Sequence, residues 1–195
     1  KELGLLLRIP NLRVVEPGCN EEMRQVLRAA AETPGPFYIR IVRCQVEDDE
    51  IGPDYKFELG KGVTVLDTGS DVGLISTGYM VKTAKIAAEK LKHKGIGVRL
   101  DHHPSLKPFD TNLLGDMTLE VSAIVTLENH CVSGGLFSLV AESLARQGTQ
   151  IPVATIGTDP EDFIHTGHVN DLLAHYQMTS DDVVRVAEQT LSKAR

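Results

Sequence analysis

Met23, Val26, Leu27, Ala30 and Ala31 fall at i, i+3, i+4, i+7 and i+8, which lines one face of a helix with apolar side chains. Asn20 can cap that helix, and Glu21 and Glu22 occupy a first turn where the macrodipole favours anions. The apolar face is predicted to end near Glu32, where Thr33-Pro34-Gly35-Pro36 stops it. Short apolar blocks on either side, 12–15 and 37–42, read as strands. The resulting β-α-β unit, roughly 30 residues long, is too small to bury both faces of its own sheet.

A second series of the same kind begins after residue 57. Strands are predicted at 63–66, 72–77, 96–100, 122–127 and 152–156. Helices are predicted at 80–93, closed by Gly95, then after SLKPFD (105–110), at 136–146, at 169–175 and at 181–193. Thr179 or Ser180 can cap the last of these, with Asp182 near N3. Strands alternating with helices indicate an α/β fold, a mainly parallel (mixed) sheet flanked by helices. The first unit is then a β-α-β remnant of a second α/β domain. Between the two series, the acidic run 47–50 followed by Gly52-Pro53 suits a solvated linker, or else a surface loop within one domain. The expected division is 1–43, a linker at 44–57, and a nearly complete domain at 58–195. Lys1 is not a start methionine and leads into the apolar LGLLLRIPNLRVV, so the chain is expected to begin inside a longer polypeptide.

Composition narrows the function classes. The 195 residues are 42% hydrophobic and 24% charged, as in a soluble globular protein. A net charge of -7 without any Lys/Arg cluster argues against a nucleic-acid partner. No apolar run approaches membrane-spanning length, and nothing resembles a signal peptide, so no membrane partner is expected. Cys19, Cys44 and Cys131 are odd in number and far apart, which fits a reducing cytoplasm better than a disulfide framework.

The stretch 122–144, SAIVTLENHCVSGGLFSLVAESL, carries the most chemistry. Its strand is expected to break at Glu128-Asn129-His130, turn through Ser133-Gly134-Gly135 and re-emerge as a helix from Leu136. An acid, an amide and a histidine at the carboxyl end of an α/β strand face a ligand or a neighbouring domain. The two glycines could receive an anion at the helix N-terminus, or simply let helix and sheet pack closely. Other motifs are negative. Gly60-Lys61-Gly62 precedes a strand, whereas a dinucleotide fingerprint follows one. There is no P-loop and no G-x-S-x-G elbow, and Ser133 has no base nearby in sequence. His102-His103 and His165-x-x-His168 lack Cys or acidic partners at ligand spacing and read as loop histidines.

Taken in order, LGLLLRIPNLRVVEPGCNEEM (3–23), PFYIRIVR (36–43), VTVLDTGSDVGLISTGYMV, LKPFD, VTLENHCVSGG and IGTDPEDFIHTGHVNDLLAHYQM resemble the transketolase family of thiamin-diphosphate enzymes. The first two pieces look like the end of the pyrimidine-binding domain, and the rest like the C-terminal domain. The resemblance implies transfer of a two-carbon ketol unit between sugar phosphates, with thiamin diphosphate and Mg²⁺ as cofactors. It also implies a homodimer, and pyrophosphate- and pyrimidine-binding domains supplied by the same or a separate chain. It places Arg43 at the end of the "IR-x-x-R" strand as the phosphate-gripping arginine, a role a guanidinium suits by bidentate charge. A strand-end arginine paired with the acidic linker is the other reading of Arg43. His130 falls near the interface with the pyrimidine domain, where it orients neighbours or packs. Gly115-Asp116-Met117 is not the family's "GDG" metal motif, and the activating glutamate lies upstream of Lys1 rather than at Glu128. On this resemblance no catalytic, cofactor or metal residue lies in the chain, and the segment alone is expected to be inactive. A 1-deoxyxylulose-5-phosphate synthase, a 2-oxo acid dehydrogenase β-chain and a non-catalytic assembly or regulatory module are the alternatives.

Overall fold

The computed structural model describes residues 2–44, 46–48 and 50–194. Lys1, and Asp49 within the acidic run, lie outside the described residues. In chain order the elements are α1 (Glu2–Leu6), β1 (Arg13–Val15), α2 (Asn20–Glu32), β2 (Phe37–Ile39), β3 (Val63–Asp67), β4 (Val72–Ser76), α3 (Met80–His93) and β5 (Val98–His102). They continue with β6 (Ser105–Lys107), α4 (Thr111–Glu120), β7 (Ala123–Cys131), α5 (Leu136–Gln147), β8 (Val153–Thr158), α6 (Val169–His175) and α7 (Ser180–Leu191).

The larger sheet has the order β3-β5-β4-β7-β8. Four of its strands, β5, β4, β7 and β8, are parallel, and β3 joins β5 antiparallel at the edge. Alternation along the central strands divides the core in two. Val72 and Leu74 with Ala123, Val125 and Leu127 point to one face, under α3 and α7. Ile75 and Ile124 point to the other, where Leu114 and Met117 of α4 and Leu136, Val140 and Leu144 of α5 cover them. That burial on both faces is why the strands read as near-continuous apolar runs.

Arg13–Val15 and Phe37–Ile39 pair in parallel around α2, as the β-α-β pattern predicts. They complete a three-stranded sheet, β2-β1-β6, with a strand from beyond the linker, since β1 also pairs antiparallel with β6. Leu3 and Val14 of the first segment share the α4/α5 core. The described part of the segment 44–57 is also docked. Its carbonyls at Glu47 and Asp48 accept from the amides of Asn20 and Glu21 at 3.1 and 2.9 Å. These bonds satisfy orphan donors of α2, whose N-cap is Cys19 without a side-chain cap, not Asn20. Lys82 and Lys85 of α3 bind Glu47 and Glu50 from the other side.

Three further differences from the sequence pattern have local causes. The helix Glu2–Leu6 is too short for a periodic signal and is held by burial of Leu3. Strand β2 stops at Ile39 after one more backbone bond, Arg40 N to Val15 O, because no strand among the described residues pairs with 41–42. The strand expected to break at Glu128-Asn129-His130 continues to Cys131, which pairs with Thr158 across a register shift. The Thr179–Asp182 capping box forms as its spacing predicts.

Candidate functional site

The carboxyl ends of β1, β4, β5 and β7 meet beneath α1 and the start of α2, and polar side chains are concentrated there. Glu128 is fully buried in β7, and both its oxygens accept from the start of α5: Leu136 N at 2.8 Å and Phe137 N at 2.9 Å. The acceptor at this helix N-terminus is therefore the protein's own carboxyl group. A Cβ at Gly135 would sit 1.8 Å from Glu128 Oε2, so the glycine is what lets that carboxyl approach. Gly134 lies against Gly4 of α1, a close approach of two backbones. Of the two readings of the glycines, close packing describes both contacts.

His130 is buried between β7 and α1. Its Nδ1 lies 2.8 Å from Cys131 O and Nε2 3.4 Å from Leu3 N, which fixes a neutral tautomer with the proton on Nδ1. Burial pushes its pKa down to about 4. An imidazole so placed joins two elements and has no nitrogen left for a ligand.

One position upstream, Asn129 O accepts from Nη2 of Arg40 at 2.7 Å. The same guanidinium binds Glu2 Oε1 through Nε at 2.9 Å and Glu16 through Nη1. Glu16 is buried. Desolvation pushes its carboxyl up, and the Arg40 charge pulls it back. Arg40, which the sequence shows only as the companion of Arg43, thus ties β1, β2, α1 and β7 together. Arg43 lies three residues farther along, exposed, with no hydrogen bond or ion pair among the described residues, to His130 or to any other. The pairing of Arg43 with the acidic linker is absent among the described residues.

A second buried cluster also escaped the sequence pattern. Glu22 of α2 accepts from Gly18 N at 2.6 Å and Tyr55 OH at 2.7 Å, and lies 3.0 Å from His102 Nε2. His102 Nδ1 lies 3.3 Å from Ser76 Oγ. Since the Glu22 carboxylate can only accept, Nε2 donates to it and Nδ1 accepts from the serine. This is the order of a hydrolytic triad, but Ser76, His102 and Glu22 are all 0% exposed, so no substrate reaches the hydroxyl. The chain is clipped together here across the linker. His103 stacks on Phe109 with ring centroids 4.7 Å apart, and neither nitrogen has a hydrogen-bond partner among the described residues. Burial pushes His103 down to about 3. Among the described residues no three His, Cys, Asp or Glu side chains gather as a metal site, and no helix is long and apolar enough to cross a membrane.

The buried carboxyl of Glu128 has a consequence for stability. Desolvation raises it to about 8, against hydrogen bonds from Phe137 and Leu136 that favour the charged form. The folded state then keeps a proton that the unfolded chain has already released, so this contribution is present below about 4.5 and is lost as pH rises through about 8. The Tm should fall between pH ~7.5, where unfolded histidines have largely deprotonated, and pH ~8.5. Glu128→Gln should flatten that decline in thermal melts taken at both pH values. An equally steep decline in the variant would rule the assignment out.

A family model described as the transketolase C-terminal domain matches residues 60–183. The chain is 31% identical over 192 residues to a subunit of the apulose-4-phosphate transketolase of Phocaeicola vulgatus, covering 98% of this chain and 60% of that protein. It is 32% identical over 192 residues to a 1-deoxy-D-xylulose-5-phosphate synthase of Heliobacterium modesticaldum, covering 96% of this chain and 29% of that one. Among solved structures, a split-gene transketolase described as an inactive β4 tetramer superposes with a TM-score of 0.89 at 36% identity, covering 100% of this chain and 62% of its own. The chain thus spans less than two thirds of each of these relatives.

Proposed function

The chain belongs to the transketolase family, with its C-terminal domain at residues 60–183, and we propose that it is the C-terminal part of a thiamin-diphosphate-dependent transketolase. That enzyme moves a two-carbon ketol unit between sugar phosphates. The observation that carries this reading is the fit of the whole chain to the split-gene transketolase. Residues 1–43 are then the end of a pyrimidine-binding domain, 44–57 the linker and 58–195 the C-terminal domain. The naming of relatives as transketolase subunits supports a separately encoded partner that supplies the upstream domains. A homodimer of the complete enzyme and a cytoplasmic location belong to the same reading.

The cofactor is thiamin diphosphate with Mg²⁺. The residues present do not fit its diphosphate and metal: no cluster of metal ligands gathers among the described residues, and Glu128 fills the N-terminus of α5. This chain's part is therefore substrate binding and assembly. Arg43 supports the first, because an exposed guanidinium without an acidic partner among the described residues is available to a phosphate dianion. Its loss removes charge-assisted hydrogen bonds worth about 1.5–3 kcal/mol, so Arg43→Ala in the complete enzyme should raise KM for a sugar phosphate by roughly 10–100-fold. The KM for glycolaldehyde, which has no phosphate, should move far less. An unchanged KM for the phosphorylated sugar would remove Arg43 from the site.

The similarity to a 1-deoxyxylulose-5-phosphate synthase favours a second reading, in which the donor is pyruvate. Parallel assays with pyruvate plus glyceraldehyde phosphate and with xylulose phosphate plus ribose phosphate separate the two. Activity with neither pair, in the presence of the partner chain and both cofactors, would favour the non-catalytic module.

A further inference from the structure

We propose that Arg40 is a positioning residue that holds Arg43 at the substrate phosphate, an inference that rests on the reading of Arg43 given above. Arg40 cannot take that role itself. Its guanidinium is bound by Glu2, Glu16 and the Asn129 carbonyl, and its side chain is only 17% exposed. Its backbone amide makes the last ladder bond of β2, to Val15 O at 2.9 Å. Residues 41–44 carry no strand bonds to the described residues, Ile41 is exposed, and Arg43 has no partner among the described residues. The place where Arg43 emerges is therefore set by the anchored residue three positions before it. That anchor joins three separate elements: Glu2 from α1, Glu16 just past β1, and Asn129 in β7. Division of labour between two arginines at R-x-x-R spacing follows, one occupied internally and one presented.

The test is a double-mutant cycle in the complete enzyme, this chain together with the polypeptide carrying the cofactor domains. The readout is the ratio of KM for a phosphorylated acceptor to KM for glycolaldehyde. Arg40→Lys keeps a cation beside Glu16 but cannot span three acceptors. It should raise the ratio about tenfold, since misplacing a binding group by a small distance costs up to about 100-fold. In an Arg43→Ala background the same change should leave the ratio where it is, because there is nothing left to position. A merely structural role would alter stability and kcat in both backgrounds alike. An equal rise in the ratio in both backgrounds, or no rise while Arg43→Ala alone raises it, overturns the positioning role and leaves Arg43 in place. No effect of Arg43→Ala on the ratio overturns both. If Arg40→Lys does not fold, Glu2→Gln, at a partly exposed position, is judged by the same criteria.

Discussion

Glu22→Ala is expected to cost about 3–5 kcal/mol of unfolding free energy, a large share of the roughly 5–15 kcal/mol that holds a domain together. The substitution leaves Gly18 N, the Tyr55 hydroxyl and His102 Nε2 facing an apolar gap, and all three now donate to one carboxylate. A buried donor without an acceptor costs about 1–3 kcal/mol, and because these share a single cavity the penalties do not simply add. Tyr55 has no alternative as an anion, since burial and the neighbouring carboxylate push its hydroxyl far up. Glu22→Gln keeps one acceptor oxygen and should cost about half as much. Urea denaturation of the two variants reads the difference. A Glu22→Ala protein within about 1 kcal/mol of the parent would mean that the clip contributes nothing net, as some buried ionic contacts do.

Gly135→Ala should be of similar size, for a steric reason. The backbone there has a negative φ, -102°, so it is not the left-handed conformation that calls for glycine. What forbids alanine is the 1.8 Å between the new methyl and Glu128 Oε2, with Cys131 O at 3.1 Å behind it. The Glu128 carboxyl must leave the start of α5 and abandon its bonds to Leu136 N and Phe137 N, for a loss of about 3 kcal/mol or more. Glu128→Ala combined with Gly135→Ala should cost less than the sum of the two, because the overlap disappears with the carboxyl. Strict additivity in denaturation midpoints would show that the methyl is accommodated some other way.

Local signals in the sequence carry most of the architecture. The helix Met80–His93 has both ends where the periodicity and Gly95 put them, and the Thr179–Asp182 box starts α7. The adjacent Leu74 and Ile75 belong to opposite faces, so a run without alternation already implies a sheet covered on both sides. The polar site is legible only in outline. R-x-x-R marks Arg40 and Arg43 alike, and what separates them is the hold on Arg40 by Glu2, Glu16 and a carbonyl 89 residues away in β7. Glu22 reads as a first-turn helix acid, while its partner His102 is 80 residues distant, so no local pattern pairs them. The extension of β7 through His130 depends on Thr158 in the neighbouring strand. The described part of 44–57 docks on α2 through the carbonyls of Glu47 and Asp48, which leave no mark on composition, and through the Tyr55 hydroxyl on Glu22, which no local pattern pairs.

The pairing of β1 with β6 matters also while the protein is being made. Val14 and Val15 wait for Lys107 and Ser105. At about 5–20 residues per second, roughly 90 intervening residues take about 5–20 s to synthesise. Through that interval β1 offers an unpaired edge to any other nascent strand. Chains stalled or truncated before Ser105 should therefore be drawn to chaperones or into aggregates, whereas those that pass Lys107 close their own edge.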